Sequence, residues 1–264
     1  MQANGLERFC GPRETDLFRR FLELFFAENE KTNLSAIRAL PEAVAKHVAD
    51  CLLAADKLPH DAAVLDLGCG GGFPTFPLAI ARPDLCITAM DSTGKKVDFA
   101  AKTAKTLGLD HVKTICGRAE DPKWAGMRET FDVVTGRAVA NLRVFAELAF
   151  PFVRVGGTVL SYKGSQGAAE LKEAENAIQT LGGTATEDHA CDLFCPIPAR
   201  VTGQTEEGAG NAARNGCKSA ENSARPTEKP GFTVEGRHLI LLRKERPTPK
   251  QYPRAYAAIL KSPL

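Results

Sequence analysis

The stretch VLDLGCGGGFPTFPLAI, residues 64–80, decides how this chain is read. Val64, Leu65 and Leu67 make a buried-strand pattern that runs into Gly68, Gly70, Gly71 and Gly72, and a helix-like apolar run follows. Glycines at such a junction let the backbone turn sharply and let another group approach with no Cβ in the way. A phosphate, a dinucleotide and a nucleoside without phosphate are the three candidates for that group. A P-loop needs Lys and Ser/Thr after its last glycine to meet phosphate and magnesium, and Phe73-Pro74 stand there instead. A dinucleotide fingerprint needs glycine or alanine five positions after Gly68, where Phe73 sits, and Pro74 has no N–H to offer a pyrophosphate. What survives is Asp66-x-Gly68-x-Gly70-x-Gly72, an acid followed by alternate glycines.

Around this junction strands and helices alternate. Strand-like runs are AVLDLG, LCITAMD, VKTIC, FDVVTG and GTVLSYKG, with helical stretches near residues 74–81, 95–107, 141–150 and 168–181 between them. Such alternation predicts an α/β fold: a Rossmann-like parallel sheet with helices on both faces and ligands at the carboxyl ends of the strands. Asp91 ends the second strand, 23 residues beyond Gly68, where a carboxylate can accept from both hydroxyls of a ribose. Gly117-Arg118-Ala119-Glu120 follow the third strand, placed to frame an adenine edge. Two acids and no phosphate cradle suit S-adenosylmethionine; the competing reading is a tight strand-to-helix turn with no ligand.

Upstream, Leu17, Phe18, Phe21, Leu22 and Phe25 recur at helical spacing, and Pro41 opens a second helix with Val44, His47, Val48, Cys51 and Leu52 on one face. The expected organisation is an N-terminal helical cap over residues 1–60, a catalytic domain over 61–254 and a tail over 255–264. Residues 202–231 hold Gly, Asn, Ser, Glu, Lys, Arg and Pro with almost no large apolar side chain, and read as a disordered insertion. A formal charge of +2 announces no nucleic-acid binder, so any basic surface must be local. No run of ~18 apolar residues predicts a membrane span, and the N-terminus carries no apolar signal core. The eight cysteines form no C-x-x-C pair, which speaks against zinc and disulfides. Cys86 and Cys116 read as small apolar residues of strands. The expectation is a cytoplasmic, monomeric protein with reduced thiols and no metal.

The ordered motifs KTNLSAI (residues 31–37), VLDLGCGGGFP, MDSTGKKVDF (90–99), GRAED, FDVVTGRAVANL, LSYKG and RKERPTPKQYPR (243–254) resemble the small-subunit ribosomal RNA guanine-N7 methyltransferase family, also called glucose-inhibited division protein B. The resemblance covers the chain from about Lys31 to Arg254 apart from the polar insertion. It implies a class I methyltransferase fold, S-adenosylmethionine as cofactor, and N7 of a guanine in 16S ribosomal RNA, free or in the small subunit, as acceptor. Carried over by motif, the cofactor residues are Gly68, Phe73, Asp91, Ala119, Glu120 and Arg137, with Gly70 and Gly72 of the same loop. Three departures stand out: Thr75 replaces the usual glycine after GFP, Cys51 stands where serine is common, and the insertion is foreign.

Other residues keep two readings each. Arg137 is a strand-end surface charge or, with the resemblance, a contact to the cofactor carboxylate or the RNA. Asn33 is a helix-boundary residue or a polar contact near the cofactor. His47 reads better as a satisfied core histidine than as a catalyst. Lys95 and Lys96 open a helix as solvated or phosphate-facing charges. Lys163 closes the fifth strand as an RNA contact or a plain strand-end lysine. Arg237, Arg243, Lys244, Arg246, Lys250 and Arg254 face one acid, Glu245, and suggest phosphate contact through Arg243, Lys244 and Arg246. Guanine N7 bears a lone pair and no proton, so no general base is expected and no catalytic residue is assigned. The alternatives are a small-molecule methyltransferase and a non-enzymatic RNA-binding protein that responds to S-adenosylmethionine. A nicotinamide dehydrogenase is disfavoured by Phe73.

Overall fold

The computed structural model describes residues 9–196 and 232–264. The insertion expected over residues 202–231 lies outside them. Seven strands form one sheet in the order β3-β2-β1-β4-β5-β7-β6. Strands β1 (Ala63–Leu67), β2 (Cys86–Asp91), β3 (Val112–Cys116), β4 (Phe131–Arg137) and β5 (Val153–Lys163) are parallel. Strand β7 (Phe232–Lys244) runs antiparallel between β5 and β6 (Gly183–Pro196). The strand order reverses between β1 and β4, and the ends of these two strands, Leu67 and Arg137, open onto the crevice where ligands of such sheets bind.

Two apolar clusters cover the two faces. One joins α1 (Pro12–Thr32), the following short helices, α4 (Thr75–Ala81) and α5 (Gly94–Leu107) to Val64, Ile87, Val133 and Leu160 of the sheet. The other joins α6 (Leu142–Ala149), α7 (Gly167–Leu181) and α8 (Tyr256–Lys261) to Leu65, Val134, Val159 and Ile240. Neighbouring strand positions fall in opposite clusters, as the period of two in a strand buried on both faces demands. The helix expected from Pro41 is interrupted: α2 (Leu40–Ala43) passes through a π-helical turn, Val44–Ala49, into α3 (Asp50–Leu52). Cys86 and Cys116 correct their expectation, since both are exposed at strand ends; among the described residues the buried thiols are Cys51 and Cys69.

Strand β7 also corrects the basic tail. Because it is antiparallel to β5, Arg243 pairs with Thr158 midway along β5, level with Val133 near the start of β4, while His238 pairs with Lys163 at the end of β5. Arg243 and Arg246 are exposed, but at the opposite end of the sheet from the glycine loop. Lys244 is fully buried: Nζ donates to the Phe150 and Val153 carbonyls at 2.8 Å each and to Glu129 Oε1 at 2.7 Å. It is therefore not free to meet a phosphate. The periodicity of RHLILLR marked the strand, but not which of its cations turned inward. Nor is the C-terminal stretch a loose tail. Arg254 reaches the fully buried Glu147 of α6 through Nε at 2.8 Å and Nη2 at 2.6 Å, and Ile259 of α8 is fully buried.

Among the described residues no helix is long and apolar enough to cross a membrane. Replacing Lys244 by Met leaves the Glu129 carboxylate and two carbonyls without their donor, and should lower the unfolding free energy by ~2–4 kcal/mol. Urea unfolding measures this, and an unchanged unfolding free energy would contradict the burial of Nζ.

Candidate functional site

The glycine loop is held from the side of β2. Gly68 and Cys69 donate to the Met90 carbonyl at 2.8 and 3.0 Å, and Gly70 donates to Asp91 Oδ2 at 3.0 Å. Gly72 donates to the Cys69 carbonyl at 2.7 Å. These amides are consumed inside the loop, so it offers no ready cradle to a phosphate. Asp91, buried, uses its other oxygen on the Thr93 amide at 2.9 Å. Each carboxylate oxygen has a second lone pair to give. The carboxylate and the loop thus form one rigid unit.

Two of the glycines serve different ends. Gly68 has φ +77° at the exit of β1 and lines a cavity of about 400 Å³. Gly72 has φ +87°, and a Cβ there would lie 2.3 Å from the Phe76 ring, so its freedom is spent on packing. Phe73 turns the same way. Its ring meets those of Phe21 and Phe25 at 5.1 Å and His47 at 4.5 Å, inside the helical cap. The structure brings Gly68, Asp91, Ala119 and Glu120 to one cavity, together with Lys96, Val139 and Leu148. Gly70 supports that cavity through Asp91; Gly72 and Phe73 do not line it. Tyr256 of α8 does line it, and nothing in PRAYAAIL beyond an aromatic after a proline pointed there.

Arg137 enters a second cavity, of about 760 Å³, walled by the cap, the end of β5 and α7. Its guanidinium donates to the Lys46 carbonyl at 2.8 Å, meets Asp50 Oδ2 at 3.2 Å and donates to His47 Nδ1 at 2.8 Å. A guanidinium only donates, so Nδ1 is the bare nitrogen of His47, and Nε2–H faces Ser35 Oγ at 3.0 Å. The same Asp50 carboxylate binds Arg237 Nε at 3.1 Å. Asp50 and Arg237 were missed as partners; the signal for Asp50 was its place three residues after His47 on a helix. Asn33 ends α1 in the left-handed region and accepts from Arg38 at 2.9 Å, the helix-boundary reading. Lys163 lies along the second cavity with Nζ on the Ala140 carbonyl at 2.6 Å and Glu170 at 2.8 Å, where it fixes the loop after β4. The two cavities share Ala138, a non-glycine residue at φ +56°. That conformation costs an L-residue ~1–2 kcal/mol, strain of a kind found where a backbone is fixed for function.

Behind the loop, the departure at Thr75 gains a meaning. Its buried hydroxyl donates to Asp66 Oδ2 at 2.5 Å. Asp66 Oδ1 and Thr135 Oγ1, on paired residues of β1 and β4, are buried with no hydrogen-bond partner. Burial pushes the Asp66 carboxyl up to about 7, against the pull of Thr75. Burial, and then the charge of Arg137, push His47 down to about 4, so it is neutral near pH 7. Among the described residues no three His, Cys, Asp or Glu side chains gather as a metal site.

The family described as rRNA small subunit methyltransferase G matches residues 14–193 of this chain. Proteins named Ribosomal RNA small subunit methyltransferase G are similar over most of its length. The one from Deinococcus radiodurans is 37% identical over 99% of this chain and 90% of its own. Those from Clostridium perfringens and Lactiplantibacillus plantarum are 35% and 33% identical, each over 94% of this chain and 91% and 88% of their own. A solved structure described as "Conversion of a Disulfide Bond into a Thioacetal Group during Echinomycin Biosynthesis" superposes with a TM-score of 0.52 at 18% identity, over 84% of this chain and 92% of that one. That last likeness is one of fold.

The two buried titrating groups pull stability in opposite directions. Asp66, raised from ~3.9 in the unfolded chain to about 7, contributes stability that is full below pH ~4 and is lost as pH rises through 7. His47, lowered from ~6.5 to about 4, contributes stability that is full above pH ~6.5 and is lost as pH falls through 4. Asp66→Asn removes the first contribution alone. Its unfolding free energy relative to the parent should climb between pH 4 and 7, by on the order of 3 kcal/mol. Urea titrations at stepped pH read the difference, and a difference independent of pH would sink the assignment.

Proposed function

The chain belongs to the rRNA small subunit methyltransferase G family, and from that premise we propose that it transfers a methyl group from S-adenosylmethionine to N7 of a guanine in 16S ribosomal RNA. One observation carries the cofactor reading. The loop amides are taken up by Met90 and Asp91, and the cavity beside them is lined by the carboxylates of Asp91 and Glu120. These acceptors, with no loop amide left over for a phosphate, suit a nucleoside whose hydroxyls donate and whose tail is cationic. In this reading Asp91 accepts from the ribose, Ala119 and Glu120 frame the adenine, and Gly68 leaves room for the chain between them. When bound, the sulfonium supplies an already activated methyl group.

The protein's share is then position. The 760 Å³ cavity meets the first at Ala138 and is walled by Arg137, Lys163 and Arg237, so a nucleotide of the RNA enters there beside cationic groups. Arg137 and Arg237 share the carboxylate of Asp50, and Arg237 is paired a second time by Glu235 at 2.7 Å, so the two guanidiniums are fixed in place at the cavity wall. Guanine N7 has no proton to shed, so alignment and tolerance of the new positive charge on the purine are what the site must provide. His47 fits this: its bare nitrogen is held by Arg137, and it sits behind Arg137 as a spacer between the cap and β4.

Two measurements test the reading. N7-methylguanine in small-subunit RNA should appear with the protein and S-adenosylmethionine and be absent without either. RNA that is bound but never methylated would leave a non-enzymatic binder, and methyl transfer to a small molecule alone would change the substrate class. In calorimetry, Asp91→Ala should weaken S-adenosylmethionine binding by ~1–3 kcal/mol in a folded variant. Single-turnover rates at saturating RNA should be flat from pH 6 to 9. A break near neutrality lost in His47→Asn would require a general base and another acceptor.

A further inference from the structure

We propose that Tyr256 of α8 is a cofactor-binding residue whose ring provides the stacking face for the adenine of the adenosyl group. The proposal rests on the S-adenosylmethionine reading above and adds to it a residue from the C-terminal helix. Of the described residues lining the 400 Å³ cavity, Tyr256 is the one aromatic; the rest are small, aliphatic or charged. A cavity of this kind selects ribose and base edges through Asp91 and Glu120, yet an adenine also has two apolar faces to remove from water. Aromatic rings cover such faces better than aliphatic chains do, because both π systems stack in offset geometry.

The ring is held where it would be needed. Tyr256 is half-buried and packs against the cluster formed by α6 and the sheet. The Arg118 guanidinium lies over the ring, 6.0 Å from its centroid, and so already meets it as a π face. The chain leading to it is pinned twice. Arg254 closes on the fully buried Glu147, and Arg128 donates to the carbonyls of Thr248 at 2.7 Å and Tyr252 at 2.8 Å. On the far side Ile259 is fully buried. A six-residue helix has little stability of its own, so these anchors, not helix propensity, set the position of Tyr256.

The test uses the full chain and S-adenosylhomocysteine as the titrated ligand. Tyr256→Leu keeps apolar bulk and loses the ring; Tyr256→Phe keeps the ring and loses the hydroxyl. Calorimetry should show about tenfold weaker binding for the leucine variant and parent-like binding, within about twofold, for the phenylalanine variant. Equal affinity of the leucine variant and the parent overturns the inference while leaving the cofactor reading intact. Loss in both variants also overturns it, because the hydroxyl rather than the ring would then be the contact. Failure of the parent itself to bind overturns both. A second readout does not depend on the variants' stability. The chain has three tyrosines, so 3-fluorotyrosine labelling gives three ¹⁹F resonances. The Tyr256 signal, identified by its absence in Tyr256→Phe, should move on adding ligand; a signal that stays in place refutes the stacking.

Discussion

The hydrogen bonds from the glycine loop to strand β2 are the constraint on which the rest of this molecule depends. Met90 and Asp91 take the amides of Gly68, Cys69 and Gly70, so the end of β1 cannot move without β2. The same carboxylate that ties the loop faces the cavity. One residue thus sets the shape of the turn and the chemistry of what it meets. Packing completes the restraint from the other side: Phe73 and Phe76 bury their rings against Phe21, and the loop is fastened to the cap as firmly as to the sheet. Ring pairs of this kind add ~0.5–1.5 kcal/mol each beyond their buried area.

A second constraint is electrostatic. Asp50 and Arg137 come from different layers, the cap and β4, and Arg237 comes from a strand that is distant in sequence. Burial of any one without the others would cost several kcal/mol. Together with Glu235, which pairs Arg237 a second time, they weld the cap to the sheet at the mouth of the larger cavity. The π-helical turn at Val44–Ala49 belongs to this arrangement, since His47 and Asp50 both meet Arg137 from it or directly after it.

Much of this was legible in the residues. The strand–glycine–helix junction, the acid at the end of β2 and the segment after β3 have local signatures, because strand ends and turns restrict side chains by type. Gly68, Asp91, Ala119 and Glu120 therefore converge as read. Phe73 and Lys244 sit elsewhere than their local patterns suggest for a common reason. Both are defined by what packs against them from far along the chain, and a lone sequence does not say which neighbour arrives. Phe73 meets the cap rather than the cavity; Lys244 meets Glu129 and two carbonyls rather than solvent. Tyr256 and Asp50 went unseen as site residues on the same ground. The Thr75 hydroxyl shows the converse case, in which a visible departure from the family pattern proves to hold a buried carboxylate.

The Glu147–Arg254 pair also imposes an order on synthesis. The two residues are 107 positions apart, and Glu147 leaves the ribosome first. Until Arg254 follows, burying the α6 carboxylate carries the cost of an unpaired charge in the core. Helix α6 therefore seats less favourably on the sheet before the residues around Arg254 have been added. The stretch around Arg254 thus acts as a latch on a helix laid down 107 positions earlier.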